Sequence, residues 1–181
     1  MDLKKGLTYT AFGFLFTLID FNLTVNGEAI SVTPDFIGWI LFFLAYEKMG
    51  DYFRGKPYMK WIPLVMAVLS AAIWGLGFVS PDKDLRYLKS AAGLLDMIYI
   101  FFLLTILARV ADDHGSSKGA AMRKLRWVFV TAELVMTVIG FLAEGGAGAN
   151  EIAVPVVAAA VAVLIAAIMT AVTLFGLRKE I

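Results

Sequence analysis

The chain has 181 residues, of which 60% are hydrophobic and 17% charged, and its mean hydropathy is +0.80. A soluble domain of this size would be about 45–50% apolar and about 25% charged, so an ordinary cytosolic domain and a disordered chain are excluded and a membrane protein is indicated. A net charge of +1 leaves no footprint for nucleic acid; the lack of cysteine removes disulfides, thiolate metal sites and cysteine nucleophiles.

A membrane-crossing helix needs about 20 mostly apolar residues. In chain order such segments fall at 6–23, 34–53, 60–79, 88–110, 125–143 and 153–176. They fill most of 1–181, which is therefore one transmembrane domain whose loops are too short to hold a soluble one. The predicted fold class is all-α: a polytopic bundle of six transmembrane helices, arranged as three helical hairpins, with a small extracytoplasmic β-hairpin. Met1 to Lys5 has the charged start of a signal peptide. No small-residue cleavage site follows, so the first segment is read as a retained span.

The basic residues set the expected orientation. Thirteen of the 16 Lys and Arg fall on one side, from Lys4 and Lys5 through Lys48, Arg54 and Arg123 to Arg178 and Lys179. Only Lys83, Arg86 and Lys89 fall on the other. That split predicts a multi-pass protein of the cytoplasmic membrane with both termini in the cytoplasm.

The first span ends on Asp20 and Asn22. The loop after it, Leu23 to Val32, places Asn26-Gly27 between β-prone flanks, and Asn-Gly accepts the positive φ of a type I′ turn. The second span opens on Thr33-Pro34-Asp35. Asp20, Asn22 and Asp35 form an oxygen-rich set suited to a hard cation. The competing reading is capping: Thr33 as N-cap, Pro34 at the first helical position and Asp35 on the positive end of the helix dipole. Segment 34–53 is uninterruptedly apolar only from Phe36 to Tyr46, so a re-entrant segment competes with a complete span.

Asp35 to Arg54 can be laid over Asp96 to Gly115, aligning Asp35 with Asp96 and Asp51 with Asp112. Three of those twenty positions are identical, a weak repeat of a kind common in transporters. Asp96 then falls inside the fourth span and Glu133 inside the fifth. A charge at bilayer depth costs about 2.5–3.5 kcal/mol on insertion scales. Each acid therefore needs a partner, water or a proton, and each is either a structural hydrogen-bonding group or part of a charge relay. No basic residue is expected at the depth of Glu133.

Other features invite a blander reading. His114, in Asp112-Asp113-His114-Gly115, belongs to a solvated loop and cannot build a multi-histidine metal cage. The four Trp and six Tyr read as interfacial belt residues, mostly. The alanine- and valine-rich last span suits close helix approach, within the bundle or at an oligomer interface. Gly93-Leu94-Leu95-Asp96 lacks the second glycine and the partner acid of an intramembrane aspartyl protease.

The run Gly13-Phe14-Leu15-Phe16, followed by Ile19-Asp20-Phe21-Asn22, Ile30 and Pro34-Asp35-Phe36-Ile37-Gly38-Trp39-Ile40-Leu41, resembles a family of small, uncharacterised bacterial integral membrane proteins. These carry an Asp-x-Asn element followed by Pro-Asp-Phe-Ile-Gly-aromatic. The resemblance covers about the first forty residues. It implies a bacterial membrane protein of no assigned activity, adds no catalytic residue, and links Asp20, Asn22 and Asp35 as one set.

Two functions are expected. One is a small solute or cation permease using the intramembrane carboxylates Asp96 and Glu133, with Asp20, Asn22 and Asp35 as its outer vestibule. The other is a non-enzymatic accessory or sensor subunit of a larger membrane complex. Enzymatic activity is not expected, since no nucleophile–base pair can be named. No cofactor motif is present, and any metal is left unassigned. The expected partners are the bilayer and either a second copy or another membrane protein, with no nucleic acid.

Overall fold

Asp2 sets the start of the first helix. In the computed structural model its carboxylate accepts the Lys5 amide at 3.1 Å and pairs with the Lys5 ammonium at 3.0 Å. The cap satisfies one of the amides that a helix leaves unpaired at its start, and Lys5 holds the Asp2 carboxyl below its usual range. The structure describes residues 2–18, 22–25, 28–31, 35–79, 86–144 and 149–181. The order is α1 (Leu3–Leu18), β1 (Asn22–Val25), β2 (Glu28–Ser31), α2 (Asp35–Met49) with a 3-10 turn at Gly50–Phe53, α3 (Tyr58–Val79), α4 (Arg86–Asp113), α5 (Lys118–Glu144) and α6 (Ala149–Glu180).

Each helix packs against its neighbours in sequence, and α6 closes on α1, so the six helices make a ring. The start of α1 meets the end of α2 through the Asp2 amide and the Lys48 carbonyl, 3.2 Å apart. The end of α6 meets the α4–α5 turn, where Glu180 takes bonds from Ser116 and Lys118. Both termini and both short inter-helix turns therefore share one end, called here the polar end. At the opposite end β1 and β2 pair antiparallel, Asn22 opposite Ser31 and Val25 opposite Glu28, and β2 lies against α3. The Asn26-Gly27 dipeptide between the strands lies outside the described residues.

The two polar-end turns share a plan. Gly55 has φ 79° and Gly115 has φ 67°, a left-handed conformation that L side chains adopt at a cost. Each helix resumes three residues later, at Tyr58 and at Lys118. Gly115 closes α4 through its own amide on the Asp112 carbonyl and the Ser116 amide on the Ala111 carbonyl, both 2.9 Å, a Schellman closure. The 3-10 turn Gly50–Phe53 has no counterpart in α4, which stays α-helical to Asp113. The aligned acids and the aligned glycines consequently differ by one residue in register.

The centre of the ring is filled with aromatic rings. Phe42 of α2 meets Phe14 of α1 at 5.2 Å, Trp39 at 5.5 Å and Tyr99 of α4 at 5.4 Å between centroids. Phe14 also stacks on Phe129 of α5 at 5.7 Å. The inner face of α6 is alanine, with Ala159, Ala166, Ala167 and Ala171 all buried; small side chains let α6 approach α5 and α1 closely. Its outer face carries exposed Val157, Val161, Ile165, Ile168 and Val172, an apolar surface that suits lipid.

The six-span expectation is corrected. Helices occur at all six expected places, but among the described residues only three are long and apolar enough to cross a membrane: Tyr58–Leu76, Ala91–Asp113 and Val154–Glu180. Helix α1 has 16 residues and α2 has 15, roughly 22–24 Å at 1.5 Å per residue against a hydrocarbon core of about 30 Å. Helix α5 opens on Lys118, Arg123, Lys124 and Arg126 and carries Glu133, which interrupts its apolar stretch. The second segment is a short helix, Asp35–Met49, ending in the 3-10 turn Gly50–Phe53, and is not among the helices long enough for a full span.

Candidate functional site

The α4–α5 hairpin sets the geometry of Asp96 and Glu133. Its register is pinned by Arg126 of α5, whose Nη1 donates to the Thr105 hydroxyl of α4 at 2.9 Å. Its polar end is pinned by Arg123 on Asp112 at 2.6 Å. Moving away from the α4–α5 turn by similar steps along both helices reaches Asp96 on α4 and the turn of α5 that bears Glu133. Asp96 lies within electrostatic reach of Glu133 and of Asp35, the first residue of α2. Three carboxyl groups from three helices are thus gathered in one region.

Asp96 and Tyr99 are three residues apart and so share one face of α4. The Asp96 Oδ1 and the Tyr99 hydroxyl are both buried and have no hydrogen-bond partner among the described residues. Buried polar atoms of this kind cost about 1–3 kcal/mol each unless water or a ligand completes them. Glu133 is half-buried, and its backbone carbonyl accepts the Thr137 hydroxyl at 2.9 Å. Asp35 stands in the first turn of α2, where a negative charge is favoured by the helix dipole.

Asp20 lies outside the described residues, and Asn22 is placed only as the first residue of β1. The Asp20–Asn22–Asp35 vestibule is therefore represented by Asp35. Among the described residues no group of three or more Asp, Glu, His or Cys is close enough to hold a metal ion. The gathered acids share a field but do not form a ready-made coordination shell.

Three residues were misplaced by sequence reasoning. Trp39 and Tyr99, read with the interfacial belt, are 3% and 0% exposed and sit in the central aromatic cluster. Trp61 and Trp127, by contrast, are exposed as an interfacial belt requires. By sequence Arg126 reads only as one of the bases flanking the fifth segment. It reaches into the hairpin, with its guanidinium 4.7 Å from the Phe101 centroid and 5.2 Å from that of Trp127. The available signal was its position in Arg126-Trp127, two turns before Glu133 on the same helix. His114 bonds through Nδ1 to the Val110 carbonyl at 2.8 Å and stands beside Tyr52, a local cap on the turn.

Chemically the site offers three carboxyl groups and a phenol hydroxyl. Such a set can take up protons or partner a small cation. The chain matches no protein-family model, no curated protein and no solved structure with which it was compared.

Proposed function

We propose that this chain is a small permease for a solute or cation, in which the Asp96–Glu133–Asp35 group carries the charge. The supporting observation is the Asp96 carboxylate oxygen, enclosed without a protein partner among the described residues while two further acids lie within reach. A buried carboxylate oxygen without a protein partner is what a proton or cation step uses, and intramembrane ionisable groups mark such paths. The aromatic centre makes this the closed form. Opening requires Phe42 and its neighbours to part.

The distribution of bases supports placing the polar end in the cytoplasm and the β-ribbon outside, as in a bacterial cytoplasmic membrane protein of the family resembled by residues 13–41. Because the chain has no cysteine, single cysteines at Ser117 and Thr24 report sidedness directly. The reading predicts labelling of Thr24→Cys, and not of Ser117→Cys, by an impermeant maleimide on intact cells.

The function is tested by flux. Protein reconstituted in liposomes holding a pH-sensitive dye should move protons under an imposed potential, with or without an added cation gradient. Asp96→Asn and Glu133→Gln should abolish that flux. Equal flux in the wild type and both variants would remove the chemistry from the proposal.

A second reading, a non-enzymatic accessory or sensor subunit, draws on the outward valines and isoleucines of α6. Its weak point is that the small residues suited to helix docking are spent inside the bundle. A partner that co-purifies at fixed stoichiometry from lipid-preserving solubilisation would favour it.

A further inference from the structure

The groove between α1 and α6 has a polarity gradient along its length. At the polar end a cavity of about 490 Å³ is lined by Lys4, Phe175, Arg178 and Lys179. None of its three bases is ion-paired among the described residues; Lys5 is taken by Asp2 and Lys118 by Glu180. Below the bases the walls become apolar. On α1, Lys4 and Phe12 are eight residues apart and so lie on one face, about 12 Å from each other. On α6, Val172, Phe175 and Lys179 recur at helical spacing on one face. The two stripes meet where Phe12 and Phe175 stand edge to face at 5.6 Å. Phe12 is 42% exposed and Val172 65%, so the apolar half opens to the surroundings.

We propose that this groove binds an anionic phospholipid of the bilayer, its phosphate held by Lys4, Arg178 and Lys179 and an acyl chain lying along Phe175 and Phe12. A guanidinium gives a phosphate two parallel hydrogen bonds, and the two ammonium groups add point charges. Basic clefts between helices at the cytoplasmic surface recognise headgroups in this way. A free phosphate would use the bases but not the aromatic floor, and a neutral zwitterionic lipid would use the floor while bringing its own cation to the bases. The groove is remote from Asp96 and Glu133, so the assignment stands apart from the transport reading.

The test is native mass spectrometry of detergent-purified protein offered equal amounts of phosphatidylglycerol and phosphatidylcholine. Retention of phosphatidylglycerol in preference is expected. It should weaken about fivefold for each base changed to glutamine and on the order of a hundredfold for Lys4→Gln, Arg178→Gln and Lys179→Gln together. Phe175→Ala should also weaken it, whereas Lys124→Gln, an exposed base outside the groove, should not. Equal retention of the two lipids, or unchanged binding in the triple variant, would overturn the assignment. So would complete displacement by millimolar inorganic phosphate, which would make the groove a free-anion site. If the triple variant does not fold, Arg178→Gln alone, an exposed single change, decides the matter.

Discussion

Arg126 and Thr105 lock the α4–α5 hairpin: the guanidinium donates to the threonine hydroxyl at 2.9 Å while that hydroxyl donates to the Phe101 carbonyl one turn earlier at 2.7 Å. The guanidinium is flanked by Phe101 and Trp127, so the arginine acts through one Nη1 hydrogen bond and its aromatic-facing plane together. This one contact sets the register that brings Asp96 level with Glu133.

Removing it should be costly in two ways. Arg126→Ala is expected to lower stability by about 2 kcal/mol, from a charged hydrogen bond of about 1.5–3 kcal/mol and a cation–π contact of about 0.5–2 kcal/mol, less the relief of desolvation. Arg126→Lys should recover less than half of that, because an ammonium lacks the plane that meets the two rings. Unfolding in mixed detergent micelles measures both. Full rescue by lysine would show that charge alone matters.

The α1–α2 pair depends on glycine for space. A Cβ at Gly38 would lie 2.9 Å from the Gly13 carbonyl oxygen and 2.9 Å from the Thr17 amide nitrogen, both backbone atoms that cannot swing aside. Gly38→Ala should therefore cost about 1–3 kcal/mol as an overpacking change. Gly75→Ala and Gly93→Ala, where nothing lies within 4 Å, should be neutral or stabilising by about 0.5–1 kcal/mol. The same thermal melt in detergent compares all three, and a neutral Gly38→Ala would refute the close approach.

Gly115 is needed for its backbone and not for space, since no atom stands within 4 Å of its missing Cβ. Gly115→Ala is expected to cost about 1–2 kcal/mol at φ 67°, and Gly115→Asn less, because asparagine tolerates the left-handed region. An alanine variant that melts with the wild type would mean that the Schellman closure does not form.

Phe42 tests the closed centre. It is fully buried and touches three other rings, so Phe42→Ala should cost about 3–5 kcal/mol in packing. On the permease reading it should also raise basal proton leak in liposomes. Trp61→Ala, at the exposed surface, should alter neither. Leak that is unchanged in a folded Phe42→Ala protein would separate the aromatic centre from any path.

The candidate site was legible in its types of residue and illegible in its grouping. Asp96 and Glu133 were conspicuous because an acid within an apolar run has few inexpensive explanations. Nothing in the linear pattern set Asp35 beside both of them. That grouping comes from the ring order, which sets the start of α2 beside the matching ends of α4 and α5. Tyr99 was hidden for a similar reason: an aromatic at a span's end and one in a bundle's centre look alike until the neighbouring helices are placed.

Hydropathy alone determined that the chain is helical and lipid-compatible, and it located all six helices, because transfer of side chains into an apolar phase depends on composition along one segment. Turn glycines were likewise local, since the left-handed φ that ends α4 is a property of one residue. Tertiary structure decided that α6 turns its alanines inward. It also decided that the ring is plugged by Phe14, Trp39, Phe42, Tyr99 and Phe129, and that Arg126 enters the α4–α5 seam. Those outcomes depend on which faces of different helices meet. Apolar residues on several faces of a helix give too little contrast to say which face turns inward, so it is packing between helices, and not the pattern within one, that selects the inward face.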